Sequence, residues 1–443
     1  MQNGITNGSG TGLARHWAGP CLAGALVLAT LPAAALDLSV SGFGTLGYAR
    51  SDQAFNYQRF INNGGTFRRD SVAGLQVDAR FADKFGATVQ VTEAPASDND
   101  SHYRGVVSWA FLSYRPSDDW FFRVGKQRTP FYLYSQSYDV GVTYDFARLP
   151  TEMYSISPSN NFNGILASKN WSLASGDLSL DGYLGKSKFD GRFWLRDGIP
   201  GGQGPGAAFR AFEFKGGIVA LSYKRSEDTY RMAVVRGVGR VQDGAPIPSS
   251  YPFVSLLPGI GYYQVDPSLP GPGVGTTSAF HNTIITLGAD VSLDSGFRVI
   301  GEFARTYLNQ SNVDFANASS RGYVSLLKNV GKWTPYVSYA FLRSESAQIN
   351  LYNSVNNNTV PGFIPGAALI NASQRVGADG MLTYDQSSWA LGTSYSFSAS
   401  SKLKGEWMRT RIGQVSSLVD AAPGSNIRNQ HINVLSLSYN FVF

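Results

Sequence analysis

The sequence predicts an all-β protein, a transmembrane antiparallel β-barrel of about 16 strands with a long third loop folded into its lumen. Three observations support this fold class. Charged residues make up only 15% of the chain, while aromatic residues reach 13% and glycines number 49; soluble domains usually carry about 25% charged residues. Apolar and polar residues alternate along many short stretches. Short turns and long polar loops alternate between those stretches.

A barrel is favoured over a helical membrane protein because long apolar runs are missing. After residue 36, no run of about 18 apolar residues occurs in the sequence, and a transmembrane helix needs roughly 20. Within lipid, only helices and closed barrels satisfy their own backbone hydrogen bonds. A membrane interpretation of this composition therefore predicts strands.

The N-terminal region has the pattern of an export signal. Arg15 and His16 precede an apolar stretch at 22–31, and small residues follow it up to Ala35. A charged region, an apolar region and a small-residue cleavage site together indicate a signal peptide. We expect a signal peptide at 1–35 and one barrel domain at 36–443. The single cysteine, Cys21, falls within the signal, so the exported chain would hold no disulfide and no thiolate.

Period-2 alternation is clearest at 72–81, where Leu75 and Val77 share one face and Gln76 and Asp78 share the other. The predicted strands span residues 38–50, 72–81, 85–93, 104–115, 120–127, 161–174, 178–188, 210–225, 229–240, 280–293, 297–308, 319–328, 332–345, 387–397, 402–413 and 431–443. Seven short connections alternate strictly with eight long ones, as in bacterial outer-membrane barrels. A turn at Gly216 within the long stretch 210–225 would change the count.

The connection at 128–160 separates two predicted strands and is the most informative part of the chain. Structureless loops longer than about 12–15 residues are usually functional or disordered, and five tyrosines in this stretch argue against disorder. We expect it to fold back into the lumen and narrow the pore. The candidate constriction residues are Arg128, Asp139, Asp145, Arg148, Glu152, Tyr132, Tyr134 and Tyr138.

Two interpretations of these side chains remain open. Selectivity in pores is set by rings of charge and by constriction size, so the charged residues would create a transverse field. Alternatively, they form ion pairs that hold the loop against the wall. The tyrosines would either stack on a sugar or an aromatic solute, or pack the loop against the wall.

Alternation also assigns polar residues to the inner face of the wall. An arginine facing lipid at the bilayer midplane would cost roughly 2–4 kcal/mol, so charged members of a strand are expected to point inward. The predicted wall residues are Gln76, Asp78, Arg80, Arg123, Arg298, Glu302, Lys404 and Glu406.

The last predicted strand ends on an aromatic residue. Tyr439, Phe441 and Phe443 share one face of this strand, and Phe443 ends the sequence. A terminal amphipathic strand ending in phenylalanine resembles the targeting strand of outer-membrane barrels, which implies recognition by the barrel-assembly machinery.

Several function classes are not expected from this sequence. The basic residues are scattered and the formal net charge is +6, so a nucleic-acid partner is not expected. Outside the predicted signal the histidines are His102, His281 and His431, and none lies in a motif with a serine or an acid. We expect no enzyme, no cofactor and no metal site.

A local motif resembles a known family. Residues 122–131 contain the run V-G-x-x-x-x-P-F, which is similar to the strand-to-loop segment that opens the third loop in Gram-negative outer-membrane porins of the phosphate-selective and related types. The resemblance implies a homotrimeric, passive diffusion channel for small hydrophilic solutes and ions, surrounded by outer-membrane lipid and lipopolysaccharide.

The sequence departs from the phosphate-selective pattern in one respect. Such a porin would carry ladders of arginines and a lysine cluster in its pore, whereas here Asp139, Asp145 and Glu152 lie among the arginines. The alternative function is a channel selective for a small anion, a carboxylate or a sugar.

Overall fold

The computed structural model describes residues 37–156, 161–308 and 318–443. Within these ranges, 16 antiparallel strands close into one barrel, in which each strand pairs with its neighbours in sequence and the last pairs with the first. The strands are Asp37–Ser51 (β1), Val72–Ala82 (β2), Phe85–Pro95 (β3), Tyr103–Tyr114 (β4), Trp120–Arg128 (β5), Asn161–Leu173 (β6), Gly176–Leu195 (β7), Gly206–Arg225 (β8), Asp228–Val241 (β9), Phe280–Ser292 (β10), Phe297–Leu308 (β11), Ser319–Lys328 (β12), Trp333–Ser344 (β13), Tyr384–Ser398 (β14), Ser401–Ser416 (β15) and His431–Val442 (β16). The predicted signal peptide lies outside the described residues and stays a prediction.

The exposure of successive side chains alternates along the strands, as expected of a barrel. Along β10, Ile284 and Thr286 are 2% and 1% exposed, while Ile285 and Leu287, which alternate with them, are 36% and 49% exposed. In a closed sheet, successive side chains point to opposite faces, so the exposed apolar set lies on the outer surface. The predicted fold class of about 16 antiparallel strands in a barrel is confirmed.

Two adjacent strands are longer than the sequence predicts. The stretch 189–209, predicted as a loop, is mostly strand, because β7 and β8 continue their pairing from Phe189↔Phe212 to Leu195↔Gly206. Gly216 is not a turn, since it pairs with Gly185 on one side and with Gly237 on the other. The prediction of a loop was wrong because the extension no longer shows a regular apolar alternation.

In the described ranges, three α-helices, two 3-10 helices (Gly141–Thr143 and Asp294–Gly296) and six short strands lie in the connections. The α-helices are Thr151–Tyr154 (α1), Ser346–Asn357 (α2) and Ala367–Asp379 (α3). The stretch 346–386 was predicted as a long loop, and the two helices correct this. Ile349, Tyr352 and Val355 on α2 are buried at three-residue spacing, an apolar stripe that the many asparagines obscured. Among the described residues, no helix is both long enough and apolar enough to cross a membrane.

Barrel closure involves the chain end directly. The Phe443 amide donates to the Gly42 carbonyl over 3.0 Å, and the Gly42 amide donates to the Phe443 carbonyl over 2.9 Å. The rings of Phe441 and Phe443 lie where side chains at Gly44 and Gly42 would be. The glycines of β1 therefore provide the space for the terminal aromatics, while their role as an assembly signal stays a prediction.

Candidate functional site

The connection after β5 is here called the long segment, residues 129–156. It begins beside Pro130, which lacks the backbone N–H needed to extend the strand. The Arg128 guanidinium at the end of β5 donates to Asp139 Oδ2 over 2.6 Å. Both side chains are largely buried. This ion pair ties the first part of the long segment to the strand it leaves.

Glu302 on β11 connects both ends of the long segment to the wall. Its Oε2 accepts a hydrogen bond from the Leu133 amide over 2.8 Å. Its Oε1 accepts from the Tyr154 hydroxyl and, over 2.9 Å, from the Tyr323 hydroxyl on β12. Glu302 is only 5% exposed, so the three donors satisfy a carboxylate that is shielded from water.

Asp145 makes a second attachment, to the side of the barrel formed by β11, β14 and β15. It accepts hydrogen bonds from Lys402 Nζ and Ser394 Oγ, each over 2.8 Å. The Arg298 guanidinium lies 3.6 Å away and also donates to Asp290. Two cations and one hydroxyl therefore surround this carboxylate.

Arg148 forms a two-pronged ion pair with Asp70, on the connection between β1 and β2. One of its bonds, from Arg148 Nε to Asp70 Oδ1, measures 2.9 Å. Burial raises the pKa of Asp70, but the charge and hydrogen bonds of Arg148 outweigh this and lower that pKa below its ordinary value of 3.8. The pair is ionised at neutral pH and fixes the middle of the long segment.

Glu152, on α1, accepts hydrogen bonds from two side chains of β14. Gln386 Nε2 donates over 2.8 Å, and the Ser388 hydroxyl also donates. Glu152 is therefore held by neutral partners rather than by a cation, unlike Asp139 and Asp145.

Backbone groups of the long segment are also bound by the wall. Lys404 Nζ on β15 donates to the carbonyls of Gly141 and Phe146 over 2.6 and 3.0 Å. The Tyr336 hydroxyl on β13 accepts from the Ala147 amide over 3.0 Å and donates to Glu406 over 2.8 Å. Two of the predicted wall residues, Lys404 and Glu406, thus act on the segment directly or through one tyrosine.

The opposite end of the segment has similar attachments. Arg231 on β9 donates to the carbonyls of Pro130 and Tyr132 over 3.2 and 3.1 Å. Thr286 on β10 donates to the Phe131 carbonyl over 2.8 Å. Arg321 on β12 donates to the Tyr132 hydroxyl over 2.7 Å. The segment therefore contacts every strand from β9 to β15, in each case through a side chain on the face opposite to the exposed apolar one.

The predicted tyrosines lie in two settings. Tyr132 and Tyr134 are buried in an apolar cluster with Phe146 and Met153. Tyr138 is partly exposed and stacks on Tyr154 with the ring centroids 6.0 Å apart. Most of these rings therefore pack against their neighbours, and Tyr138 faces open space.

The remaining predicted wall residues lie away from these attachments. Asp78 accepts from Gln76 Nε2 over 2.7 Å and from Thr88 Oγ1 over 2.6 Å. The Arg123 guanidinium lies over the rings of Phe111 and Phe121 at 4.6 and 4.7 Å. Arg80, near the end of β2, is exposed.

A cavity of about 1020 Å³ borders the long segment. Tyr138, Arg148 and Tyr154 contribute to it from the segment, and Thr45 and Asn440 from β1 and β16. Positively charged residues outnumber negatively charged ones on its border, which holds six arginines and three aspartates. The arginines are Arg59, Arg69, Arg148, Arg192, Arg210 and Arg321, and the aspartates are Asp70, Asp139 and Asp190.

Sequence reasoning missed several of these residues. Arg321 could have been found, because it shares the inward parity of Tyr323 within a correctly predicted strand. Asp70 could not, since it lies in an irregular connection 78 positions from Arg148. Gln386 lay just before the predicted start of its strand.

The side chains suited to metals are dispersed. In the described ranges, no group of three or more His, Cys, Asp or Glu residues is placed to hold a metal ion. The site is therefore one of ion pairs, hydroxyls and aromatic rings.

Solved structures with the same architecture are outer-membrane proteins. A loop-deletion form of OmpT, an outer membrane protein of Vibrio cholerae, superposes with a TM-score of 0.51 at 11% identity, covering 92% of this chain and 100% of that one. The trimer form of in-vitro folded OmpT gives 0.50 at 10% identity, with coverages of 92% and 100%. The chain has the barrel fold of these outer-membrane proteins.

At this identity the likeness concerns the fold alone. The anion-selective porin from Comamonas acidovorans is also similar, with a TM-score of 0.47 at 12% identity, covering 92% of this chain and 100% of that one. No protein-family model matches the sequence, and no curated protein matches it either.

Proposed function

We propose that this protein is an outer-membrane porin, a passive diffusion channel for small hydrophilic solutes and ions, in which residues 128–160 fold into the lumen and form the constriction. The observation that carries the proposal is the set of contacts between the long segment and the inward-facing side chains of β9 to β15. Contacts with the inward-facing side chains of so many strands support a position of the segment inside the barrel.

The charged residues of the long segment have both an anchoring and a lining role in this proposal. Arg128 with Asp139, and Arg148 with Asp70, form ion pairs of low exposure, which supports anchoring. Arg148 and Asp139 also border the cavity, where their charges would act on passing ions. The pairing of opposite charges favours weak ion selectivity in the basal channel.

The surroundings of the barrel follow from the same proposal. The outward apolar surface suits outer-membrane lipid and lipopolysaccharide, after export directed by a signal peptide at 1–35. A homotrimer is proposed with the support of OmpT, whose structure includes a trimer form. Tyr439, Phe441 and Phe443 would be recognised by the barrel-assembly machinery.

The proposal includes no reaction and no cofactor. Of the histidines, His102 lies on an exposed connection, with its Nδ1 3.2 Å from Ser101 Oγ and its Nε2 3.1 Å from Asn99 Nδ2. A serine nucleophile needs a base that is itself oriented by a third group. The group beside His102 is the side-chain amide of Asn99 on an exposed loop, which is a poor orienting group for a base. A substrate-selective channel remains the second candidate function, because the cavity has an excess of arginines.

Single-channel recording of the purified full-length protein in a planar bilayer tests the porin function. We expect discrete current steps with a linear current–voltage relation, because a fixed water-filled pore conducts equally in both directions. Under a salt gradient, Arg148→Ala should shift the reversal potential towards cation selectivity, and Arg128→Ala should shift it in the same direction. A protein that inserts but carries no current would contradict the proposed function.

A further inference from the structure

The cavity beside the long segment is unusual in combining arginines with many aromatic rings. Besides its six arginines it is bordered by eleven aromatic side chains, among them Tyr138, Tyr154 and Tyr384. Aromatic rings gain by contact with the apolar groups of a solute, and arginines gain by contact with an anion. The cavity therefore suits a solute that carries both a charge and an apolar body.

Arg321, on the β12 wall, is the arginine whose setting calls for an anion. It is 1% exposed, yet among the described residues its donors are bound by hydroxyl groups alone. The Tyr132 hydroxyl accepts from Nη2 over 2.7 Å, and Thr306 Oγ1 accepts from Nη1 over 3.0 Å. Within the ranges 37–156, 161–308 and 318–443, no carboxylate lies within 4 Å of this guanidinium.

Four other arginines on the cavity border, Arg59, Arg69, Arg148 and Arg192, have carboxylate partners, whereas the half-buried Arg210 donates to the Pro246 carbonyl. Arg59 pairs with Asp100, and Arg192 pairs with Asp100 and Asp420 at 2.8 and 2.7 Å. Buried charges in proteins are as a rule paired with an opposite charge, because hydroxyls alone do not repay the cost of desolvation. Among the residues that the structure describes, Arg321 has no such partner, and it lies at the edge of an open cavity.

Besides Thr306, the cavity border around Arg321 includes apolar and aromatic side chains. Ile284 pairs with Thr306 across β10 and β11, and both border the cavity together with Leu382 and Tyr384. Strands lie about 4.8 Å apart, so β14 with Tyr384 is about two strand spacings from Arg321. An anion bound to Arg321 would thus have its remaining atoms against Ile284, Leu382 or Tyr384.

We propose that Arg321 and the apolar border next to it form a binding site for small aromatic monocarboxylates on their way through the channel. This inference rests on the proposed function and names a substrate class for it. The planar guanidinium matches a carboxylate in a two-pronged arrangement, in which the carboxylate would displace the Tyr132 hydroxyl that Nε and Nη2 share. A neutral sugar would leave the buried charge unpaired, and a phosphate dianion would favour several cations around one site.

The test uses the full-length protein in planar bilayers with benzoate, benzamide and acetate added to potassium chloride. Benzoate should interrupt the current, with an apparent affinity about tenfold or more tighter than that of benzamide or acetate, a difference that corresponds to about 1.4 kcal/mol. Equal block by benzoate and acetate would reduce the site to a general anion site and overturn the proposal. Block by benzamide as strong as block by benzoate would show that the charge of the solute plays no role, and would overturn the proposal as well.

Variants locate the effect at Arg321. Arg321→Met should abolish the preference for benzoate while the current in potassium chloride persists, and Arg321→Lys should retain part of it. Arg409→Met is the matched control, because Arg409 is exposed on the outer face. Benzoate should block this variant as it blocks the parent protein. Benzoate block that survives Arg321→Met would overturn the proposal.

One further variant concerns a possible counter-ion within the chain. Asp314 belongs to the stretch 309–317, which lies outside the described residues. Block by benzoate should be unchanged in Asp314→Asn protein. Block that becomes much stronger in this variant would show that Asp314 neutralises Arg321 and would overturn the inference. Loss of all current in the parent protein would instead contradict the channel function itself.

Discussion

Replacing Glu302 by alanine is expected to loosen the long segment and to turn a steady channel into a noisy one. The change removes the acceptor of the Leu133 amide and of the Tyr154 and Tyr323 hydroxyls. Each buried donor left without a partner costs about 1–3 kcal/mol. The wall should therefore hold both ends of the segment less tightly, by the summed cost of these unpaired donors. Brief openings to a larger conductance should appear in single-channel records.

Two comparison variants make this prediction specific. Glu302→Gln keeps one carbonyl acceptor, and an intermediate level of current noise is expected from it. Asp78→Ala removes another wall carboxylate, whose partners are Gln76 and Thr88 on the wall itself, so the noise should stay at the parental level. Steady current of parental size in Glu302→Ala protein would mean that Glu302 does not hold the segment.

The second large effect is expected from the ion pair between Arg148 and Asp70. Their side chains are 7% and 12% exposed, and removing one partner of a buried pair costs about 3–5 kcal/mol because the other charge is left uncompensated. Arg148→Ala should therefore lower the temperature at which the folded barrel unfolds in detergent, as followed by its mobility on unheated and heated gels. The Arg148→Ala, Asp70→Asn double variant should recover part of the loss.

The pH dependence of that loss follows from the pKa of Asp70. Because Arg148 lowers this pKa below 3.8 in the folded protein, the pair stabilises the fold at and above the ordinary value, and its contribution disappears as the pH falls through the lowered one. In Arg148→Ala protein, Asp70 can be neutralised by a proton at a higher pH. The difference in unfolding temperature between parent and variant should therefore shrink as the pH is lowered towards 4. A difference that is constant from pH 7 to pH 4 would contradict the assignment.

The membrane-spanning part of the fold could be predicted closely from the sequence. Lipid on one side and polar side chains on the other impose alternation on every strand, and the 16 strands of the barrel all fall on predicted ones. Outside the lipid this constraint ends. At 189–195, Phe189 and Phe193 share the strand with Asp190 and Arg192, and the extension of β7 and β8 showed no readable period.

The candidate site was predictable only in part, for a similar reason. The location and charge of the long segment were visible as a tyrosine-rich interruption between strands. The wall residues that bind the segment were not visible in the sequence. The contacts of Asp145 with Ser394 and Lys402 span about 250 positions, and no local sequence pattern indicates contacts between residues so far apart. Parity predicts an inner-face position for Glu302, Lys404 and Glu406, but it does not tell which inward residue touches the segment.

The most direct test of the central claim, that the long segment lies in the path of the current, is chemical modification at Tyr138. Cys21 is the only cysteine in the sequence and falls within the predicted signal, so Tyr138→Cys introduces a single thiol on the border of the cavity. A membrane-impermeant, positively charged methanethiosulfonate reagent should lower the current of each open channel in discrete steps. Leu184→Cys, at a position 72% exposed on the outer face, is the control and should leave the current unchanged. Complete labelling of Tyr138→Cys without any change in current would contradict the account.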